Sequence, residues 1–448
     1  MTKLIFGTDG IRGEVGSSII TPENILKLGW AIGVVLGNKS KNNTILIGKD
    51  TRVSGYMLES ALQAGLAASG MNIGLLGPMP TPAISYLTCT LRADAGIVIS
   101  ASHNLFQDNG IKIFASNGEK INTSISKQIS EQFSKPIKIA SSQQIGKAKR
   151  HISAPARYIE RCKSRFEGSD TGLNGIHIVL DCANGANYLV APCVFEELGA
   201  KVTVLNVNPD GFNINDNCGA LYPNKLAQAV LETKADCGIA FDGDGDRLIM
   251  VDHTGKICDG DTLLYVIAQY QLKQKQLIGG IVGTHMSNGA LDQVFKNLNI
   301  PFTRVNVGDA NILAELKTRN WQLGAEPSGH ILDLKKSISG DGIISALQVL
   351  TVMVDQQSSL HSLTSSLNKF PQSLINIPRP EKFCYQTNKV LINKLEKKAL
   401  ASLSKTGRIL IRPSGTENLI RLLIEDNDPV LVEKTANNLK EELIKIMQ

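Results

Sequence analysis

The segment Asp242-Gly-Asp244-Gly-Asp246-Arg247 follows the apolar run Gly238–Phe241 and sets three carboxylates at alternate positions. Two like charges about 4 Å apart repel by roughly 4 kcal/mol at an intermediate dielectric, so a cluster of three calls for a cation. The interleaved glycines let the backbone bend until the side chains converge, and hard oxygen ligands suit Mg²⁺ or Ca²⁺. An EF-hand is excluded, because its sixth and twelfth positions require Gly and Glu and here they are Arg247 and His253. A purely structural acidic turn would leave the charges uncompensated. With only three protein carboxylates, coordination stays open for a phosphate oxygen, as in phosphoryl transfer.

Four other segments carry polar groups at chemically useful spacing. In Gly96-Ile-Val-Ile-Ser-Ala-Ser102-His-Asn an apolar strand runs into a loop that presents Ser102, followed by a glycine turn near Lys112. A hydroxyl at a strand end can act as a nucleophile or carry a phosphoryl group, although taken alone the segment reads as an ordinary Ser/Asn turn. The hydrolase elbow G-x-S-x-G is absent here. Arg412-Pro-Ser414-Gly415-Thr416 offers a guanidinium, two hydroxyls and glycine-freed amides, and phosphate binding is favoured over a plain polar turn. Glu326-Pro-Ser328-Gly-His330 could grip sugar hydroxyls and move a proton; a turn with incidental polar groups explains it equally well. Phe6-Gly-Thr-Asp-Gly-Ile-Arg12-Gly13, alone, reads as a plain N-terminal turn. A Walker A loop and a complete Rossmann fingerprint are missing, which disfavours nucleotide-driven and dinucleotide chemistry.

The elements that must position these loops alternate. Strand-like runs at Thr44–Gly48, Gly96–Ser100, Ile176–Asp181, Lys201–Val207, Gly238–Phe241 and Gly280–Gly283 are interleaved with amphipathic segments such as Pro22–Gly37, Leu291–Asn297 and Asn311–Thr318. This alternation predicts α/β layers with ligands at strand C-termini. Gln- and Ser-rich stretches at Ser141–Ser153 and Gln356–Pro371, and a turn after Asp252, read as boundaries. The tail differs, with strands at Arg408–Arg412 and Leu419–Glu425 and a helix around Val430–Ile446. Length alone gives about three domains at roughly 150 residues each for a 448-residue chain, and the pattern along it gives three α/β units and a smaller α+β one, at 1–152, 153–253, 254–367 and 368–448.

The net charge of +6 is spread along the chain without interleaved aromatics, so nucleic acid is not an expected partner. No apolar run reaches the roughly 18 residues of a membrane span, and no signal-peptide core is evident, which gives a cytoplasmic expectation. The eight scattered cysteines lack C-x-x-C spacing and read as reduced structural thiols.

Together these loops, in their order along the chain, resemble the α-D-phosphohexomutase superfamily from Phe6 to the C-terminal helix. Phe6–Gly13, Asp210-Gly-Phe-Asn-Ile-Asn215 with Cys218-Gly-Ala, and Gly340-Asp-Gly-Ile-Ile-Ser-Ala-Leu-Gln348 are similar to its phosphoglucosamine branch. The resemblance implies three related α/β/α domains with mixed sheets and a smaller C-terminal α+β domain around a central cleft. By position it implies a phosphoserine at Ser102, and Mg²⁺ held by Asp242, Asp244 and Asp246 with the seryl phosphate. It further implies sugar contacts from Glu326 and Ser328, and distal phosphate contacts from Arg412, Ser414, Gly415 and Thr416. Arg12, Lys112, Arg247 and His330 would stand near the reacting phosphate. The implied reaction interconverts glucosamine 6-phosphate and glucosamine 1-phosphate through a sugar 1,6-bisphosphate, supplying amino-sugar nucleotide and cell-wall precursors. A mutase acting on glucose or mannose phosphates, and a non-catalytic sugar-phosphate-binding relative, are the alternatives. Implied partners are a hexosamine phosphate, a second copy in a homodimer, and a kinase or bisphosphate that first charges Ser102. The chain departs from the family pattern at Leu105 and Asn418, where proline is usual, at Ala310, where arginine is usual, and at Pro327.

Overall fold

The computed structural model describes residues 6–7, 10–17, 19–37, 43–168, 170–380, 382–413 and 418–447. It divides into two compact units, Met1–Val282 with Gly308–Thr364, and Gly283–Val307 with Ser365–Gln448.

The first unit begins with β1 (Ile11–Glu14), α1 (Pro22–Leu36), β2 (Thr44–Lys49), α2 (Ser54–Ala68), β3 (Asn72–Pro78), α3 (Thr81–Thr90), β4 (Ala95–Ile99), β5 (Asp108–Ala115), α4 (Thr123–Phe133) and β6 (Ala148–Arg150). Helix α1 starts where it does because the Thr21 side chain accepts from the Asn24 amide and Pro22 follows at once. The sheet order is β1-β5-β4-β2-β3-β6. Strands β4, β2, β3 and β6 run parallel, while β5 is antiparallel to both β4 and β1. The apolar runs of β2 and β4 are buried throughout their cores because Ile25 and Leu28 of α1 and Leu58 and Leu62 of α2 pack on Ile45, Ile47, Ile97 and Ile99. Each such side chain contributes about 1.5–3 kcal/mol on burial. Two expectations change here. The polar stretch at 141–153 is not all linker, since β6 lies inside it and pairs with β3. Gly110 is not at a turn; it sits within β5, opposite Arg12.

Next come α5 (Ala154–Lys163), β7 (His177–Asp181), α6 (Val190–Glu197), β8 (Lys201–Leu205), α7 (Asn224–Thr233), β9 (Cys237–Phe241), β10 (Leu248–Asp252) and β11 (Ile257–Cys258). Their sheet has the order β11-β10-β9-β7-β8, parallel across β9-β7-β8 and antiparallel through β9-β10-β11. The turn after Asp252 is thus a hairpin that folds β11 back onto β10.

The chain continues with α8 (Gly260–Lys273), β12 (Ile281–Thr284), α9 (Ala290–Asn297), β13 (Phe302–Val305), α10 (Asp309–Arg319), β14 (Leu323–Ala325), β15 (Ile331–Asp333), α11 (Gly342–Asp355) and α12 (Leu360–Thr364). Within the first unit, β14 pairs parallel with Ile281 and Val282 and antiparallel with β15.

The second unit is completed by β16 (Gln372–Pro378), α13 (Lys389–Leu400), β17 (Arg408–Pro413), β18 (Leu419–Glu425) and α14 (Pro429–Met447). Its antiparallel sheet β16-β18-β17 presents Ile409, Ile411, Ile420, Leu422 and Ile424 to Val432, Ala436, Leu439 and Leu443 of α14. The Gly289 amide donates to the buried Glu425 carboxylate at 2.7 Å, tying the 283–307 segment to this sheet. Among the described residues no helix is long and apolar enough to cross a membrane.

Candidate active site

Strand β4 ends at Ile99, and the following loop carries Ser102 in the left-handed backbone region, φ +53°. The Ser102 Oγ donates to Asp242 Oδ2 at 2.7 Å. Because β5 lies between β4 and β1, Lys112 stands beside Val98 and Arg12 beside Gly110, on the strands flanking the serine loop. Lys112 Nζ reaches Asp244 Oδ2 at 2.7 Å and Asp246 Oδ2 at 3.3 Å.

The aspartates occupy the β9–β10 connection, and one oxygen from each lies within 4.8 Å of the others, all three residues buried. The glycines between them permit close approach as well as bending. A Cβ on Gly243 would stand 2.6 Å from the Ser102 carbonyl oxygen, and Gly245 adopts φ +74° with Asn187 Nδ2 2.5 Å from where its Cβ would be. Burial, reinforced by Asp246 and Asp244, pushes the Asp242 carboxyl up to about 8. Burial acts the same way on Asp246, but Lys112, His330 and Arg247 outweigh it and hold that carboxyl well below the usual range. Among the described residues, the buried Asp244 Oδ1 and Asp246 Oδ1 have no hydrogen-bond partner. Orphaned carboxylate oxygens converging with a third carboxylate are a donor set that a hard divalent cation fits.

The sugar-loop candidates join the same cluster. Glu326 Oε1 accepts from the Gly308 amide at 2.8 Å, and Ser328 Oγ donates to Glu326 Oε2 at 3.3 Å. His330 lies between two carboxylates, Nδ1 3.6 Å from Asp246 Oδ1 and Nε2 3.7 Å from Asp309 Oδ2. Burial would lower its pKa, but Asp246, Asp309 and Glu326 raise it to about 9. The half-buried Arg247 likewise keeps its charge against burial through Asp242, Asp246 and Glu326. Arg12 and Arg247 both act on His103, whose pKa is lowered to about 3 by burial first and by these two cations next.

The family's sequence profiles match in four consecutive parts, described as phosphoglucomutase/phosphomannomutase alpha/beta/alpha domain I over residues 3–139, domain II over 156–255, domain III over 259–370 and the C-terminal domain over 374–442. The chain belongs to the phosphoglucomutase/phosphomannomutase family. Among its relatives, a phosphoglucosamine mutase of Pectobacterium atrosepticum is 50% identical over 441 residues, covering 97% of both chains. Another, from Photorhabdus laumondii, is 51% identical over 434 residues, again 97% of both. A phosphoglucomutase/phosphomannomutase family protein from Burkholderia thailandensis superimposes with a TM-score of 0.80 at 21% identity, over 97% of this chain and 96% of that one, a likeness of fold.

This phosphohexomutase carries Arg412 on β17 of its second unit, opposite Arg421; Ser414, Gly415 and Thr416 lie outside the described residues. Three residues that bear on the cluster were not singled out from the sequence. Thr81 Oγ1, at the start of α3, donates to Asp244 Oδ2 at 2.5 Å, and its amide donates to the Asp244 carbonyl at 2.8 Å. Lys120 pairs with Asp309 at 2.6 Å, fixing the carboxylate that faces His330. Asp309 itself had a signal, as the acidic first residue of α10 after Gly308. Thr81 and Lys120 act across 163 and 189 residues, and nothing local marks them.

Proposed function

We propose that this isomerase interconverts glucosamine 6-phosphate and glucosamine 1-phosphate, with Ser102 as the phosphoryl carrier. The observation that carries the reading is the Ser102 Oγ, 2.7 Å from an aspartate of a buried triad that has unsatisfied oxygens. Asp242, Asp244 and Asp246 would hold Mg²⁺ together with a seryl phosphate oxygen, and the ion would neutralise charge on the transferred group.

In the forward half-reaction the bond from phosphorus to Ser102 Oγ breaks as one to a sugar hydroxyl oxygen forms, and the proton of that hydroxyl passes in net to Ser102 Oγ, which gives it back to the sugar in the return step. The bisphosphorylated sugar then turns end for end, and Ser102 Oγ takes back the other phosphoryl group, restoring a sugar hydroxyl. Lys112, clamped between two aspartates, together with Arg12 and Arg247, supplies positive charge around the moving group. His330, with its pKa near 9, holds a proton at neutral pH beside Asp246. Glu326 and Ser328 orient the sugar hydroxyls, and Arg412 with its following loop takes the distal phosphate. The same reading places the enzyme in the cytoplasm as a homodimer, with Ser102 first charged by a kinase or a sugar bisphosphate.

Two measurements test it. Ser102→Ala should lose on the order of 10⁵-fold or more in kcat, as deletion of a covalent group does; near-normal turnover in a coupled assay would refute the carrier role. Comparison of kcat/KM for glucosamine, glucose and mannose phosphates should favour glucosamine, and preference for a neutral sugar would refute the substrate assignment.

A further inference from the structure

The residue that shapes the serine loop is not among those read from the sequence. Arg52 follows β2 and is 0% exposed. Its guanidinium uses every N–H it has. Nε donates to Asp50 Oδ2 at 2.8 Å, Nη1 to the carbonyls of Leu105 and of Asp108 (3.0 Å), and Nη2 to the carbonyls of Ser102 (3.0 Å) and Asn104 (2.8 Å). From the other side, the buried Asn215 amide donates to the same Ser102 and Asn104 carbonyls, both at 2.9 Å. A third route closes the ring: Asp50 Oδ2 accepts from Ser100 Oγ at 2.6 Å, and Ser100 Oγ accepts from the Ser102 amide at 2.9 Å.

These bonds come from distant chain segments that are themselves joined. Thr51 Oγ1 donates to the Asn184 carbonyl at 2.5 Å, and the Val53 amide donates to the Gly211 carbonyl at 2.9 Å. The 50–53 turn and the 211–215 loop therefore grip the serine loop as one piece. Such a grip has a physical purpose. A residue with a Cβ at φ +53° costs roughly 1 kcal/mol or more, and it persists only where its surroundings over-determine it. An unpartnered buried guanidinium would cost several kcal/mol more, so Arg52 and the loop require each other.

We infer that Arg52 and Asn215 are positioning residues for phosphoryl transfer, fixing the Ser102 backbone so that Oγ meets the aspartate cluster from one direction. They act through the Ser102 and Asn104 carbonyls, to which both donate. The inference rests on Ser102 being the phosphoryl carrier. It goes beyond that reading in naming what sets the carrier's geometry. A lysine at position 52 keeps the charge beside Asp50 but cannot reach four carbonyls, since its ammonium offers three donors from a single point.

The test uses the full-length enzyme charged with glucose 1,6-bisphosphate, in four variants: Arg52→Lys, Asn215→Ala, the double variant and Ser102→Ala. Misplacement of a reacting group by about 1 Å costs roughly a hundredfold. Arg52→Lys should therefore lower kcat by roughly a hundredfold and Asn215→Ala by about tenfold, with KM for the hexose phosphate within about twofold of wild type. The double variant should lose less than the product of the two, because both residues hold the same carbonyls. A folded Asn215→Ala enzyme with wild-type kcat, or one whose loss lies in KM, would overturn the inference. If Arg52→Lys does not fold, Asn215→Ala and Asn215→Leu decide on the same criteria. Retained turnover in Ser102→Ala would instead overturn the carrier reading, so the two failures are distinguishable.

Discussion

Residues 100–107, between β4 and β5, and residues 242–247, between β9 and β10, lie against each other and are held in opposite ways. The serine loop is satisfied from within the protein, its carbonyls collected by Arg52 and Asn215 and its amide by Ser100. The aspartate loop is left incomplete: among the described residues two of its buried carboxylate oxygens have no hydrogen-bond partner, and a third carboxyl is pushed up to about 8 by burial and its neighbours. One loop has its backbone groups held by other parts of the chain, whereas the other has a donor set that a divalent cation would complete. The division suits the carrier role proposed for Ser102, in which the serine stays in place while charge on the transferred group rises and falls beside it.

Removal of the cation should separate the loops most sharply. Chelation should reduce turnover by about a thousandfold or more, equivalent to several kcal/mol of charge stabilisation, and Mg²⁺ should restore it. Mg²⁺ should also raise the midpoint of thermal unfolding, because it binds the folded chain alone. Indifference of both turnover and midpoint to chelator would break the comparison.

A smaller effect is expected from Thr81→Val, which keeps the shape and the amide bond to the Asp244 carbonyl but removes the hydroxyl bond to Asp244 Oδ2. Outer-sphere losses of this kind weaken metal binding by about tenfold or more. The Mg²⁺ activation curve should shift to higher concentration while kcat at saturation recovers; an unmoved curve would show that Thr81 does not orient the ligand.

A third effect, on stability rather than on turnover, concerns the support behind the aspartate loop. Asp341 caps α11, accepts from Tyr158 Oη at 2.9 Å, and precedes Gly342, whose amide donates to the Gly245 carbonyl at 3.0 Å. Burial, opposed by these bonds, raises its carboxyl from 3.8 to about 6. A raised folded-state value means that its contribution to stability is fully present below about pH 4 and lost as pH rises through about 6, by up to about 3 kcal/mol. Denaturation midpoints between pH 4 and 7 should therefore fall less steeply in Asp341→Asn than in wild type, and parallel curves would rule the effect out.

The strands were legible in the sequence because their signals are local. Strand β18 runs over Leu419–Glu425, the bounds expected for it, and β9 and β7 each begin within one residue of where the apolar runs place them. The aspartate triplet was legible because interleaved glycines and alternating carboxylates have few other uses. Gly243 shows the limit: its bending was foreseen, but the carbonyl that forbids a side chain there belongs to Ser102, far away in the sequence. Arg52 was passed over for the same reason. Asp50-Thr-Arg52 after an apolar strand looks like an exposed charged turn, and only the folded chain shows it buried among carbonyls. Asn215 lay in plain view within the segment that pointed to the phosphoglucosamine branch, yet its partners cannot be read from spacing.

The turn carrying Glu326 and Ser328 hangs on the strand that leaves the aspartate loop, since the Leu248 amide donates to the Gly329 carbonyl at 3.0 Å, one residue after Arg247. If the two loops bind sugar and ion as proposed, this bond would let occupancy of one bear on the other as a shared free energy. If hexose phosphate tightens Mg²⁺ by some factor, Mg²⁺ must tighten hexose phosphate by the same factor. Calorimetric titration of each ligand with and without the other, on Ser102→Ala so that no turnover intervenes, should give one ratio above unity from both directions. A ratio of one would mean that the protein reads its ion and its sugar as strangers.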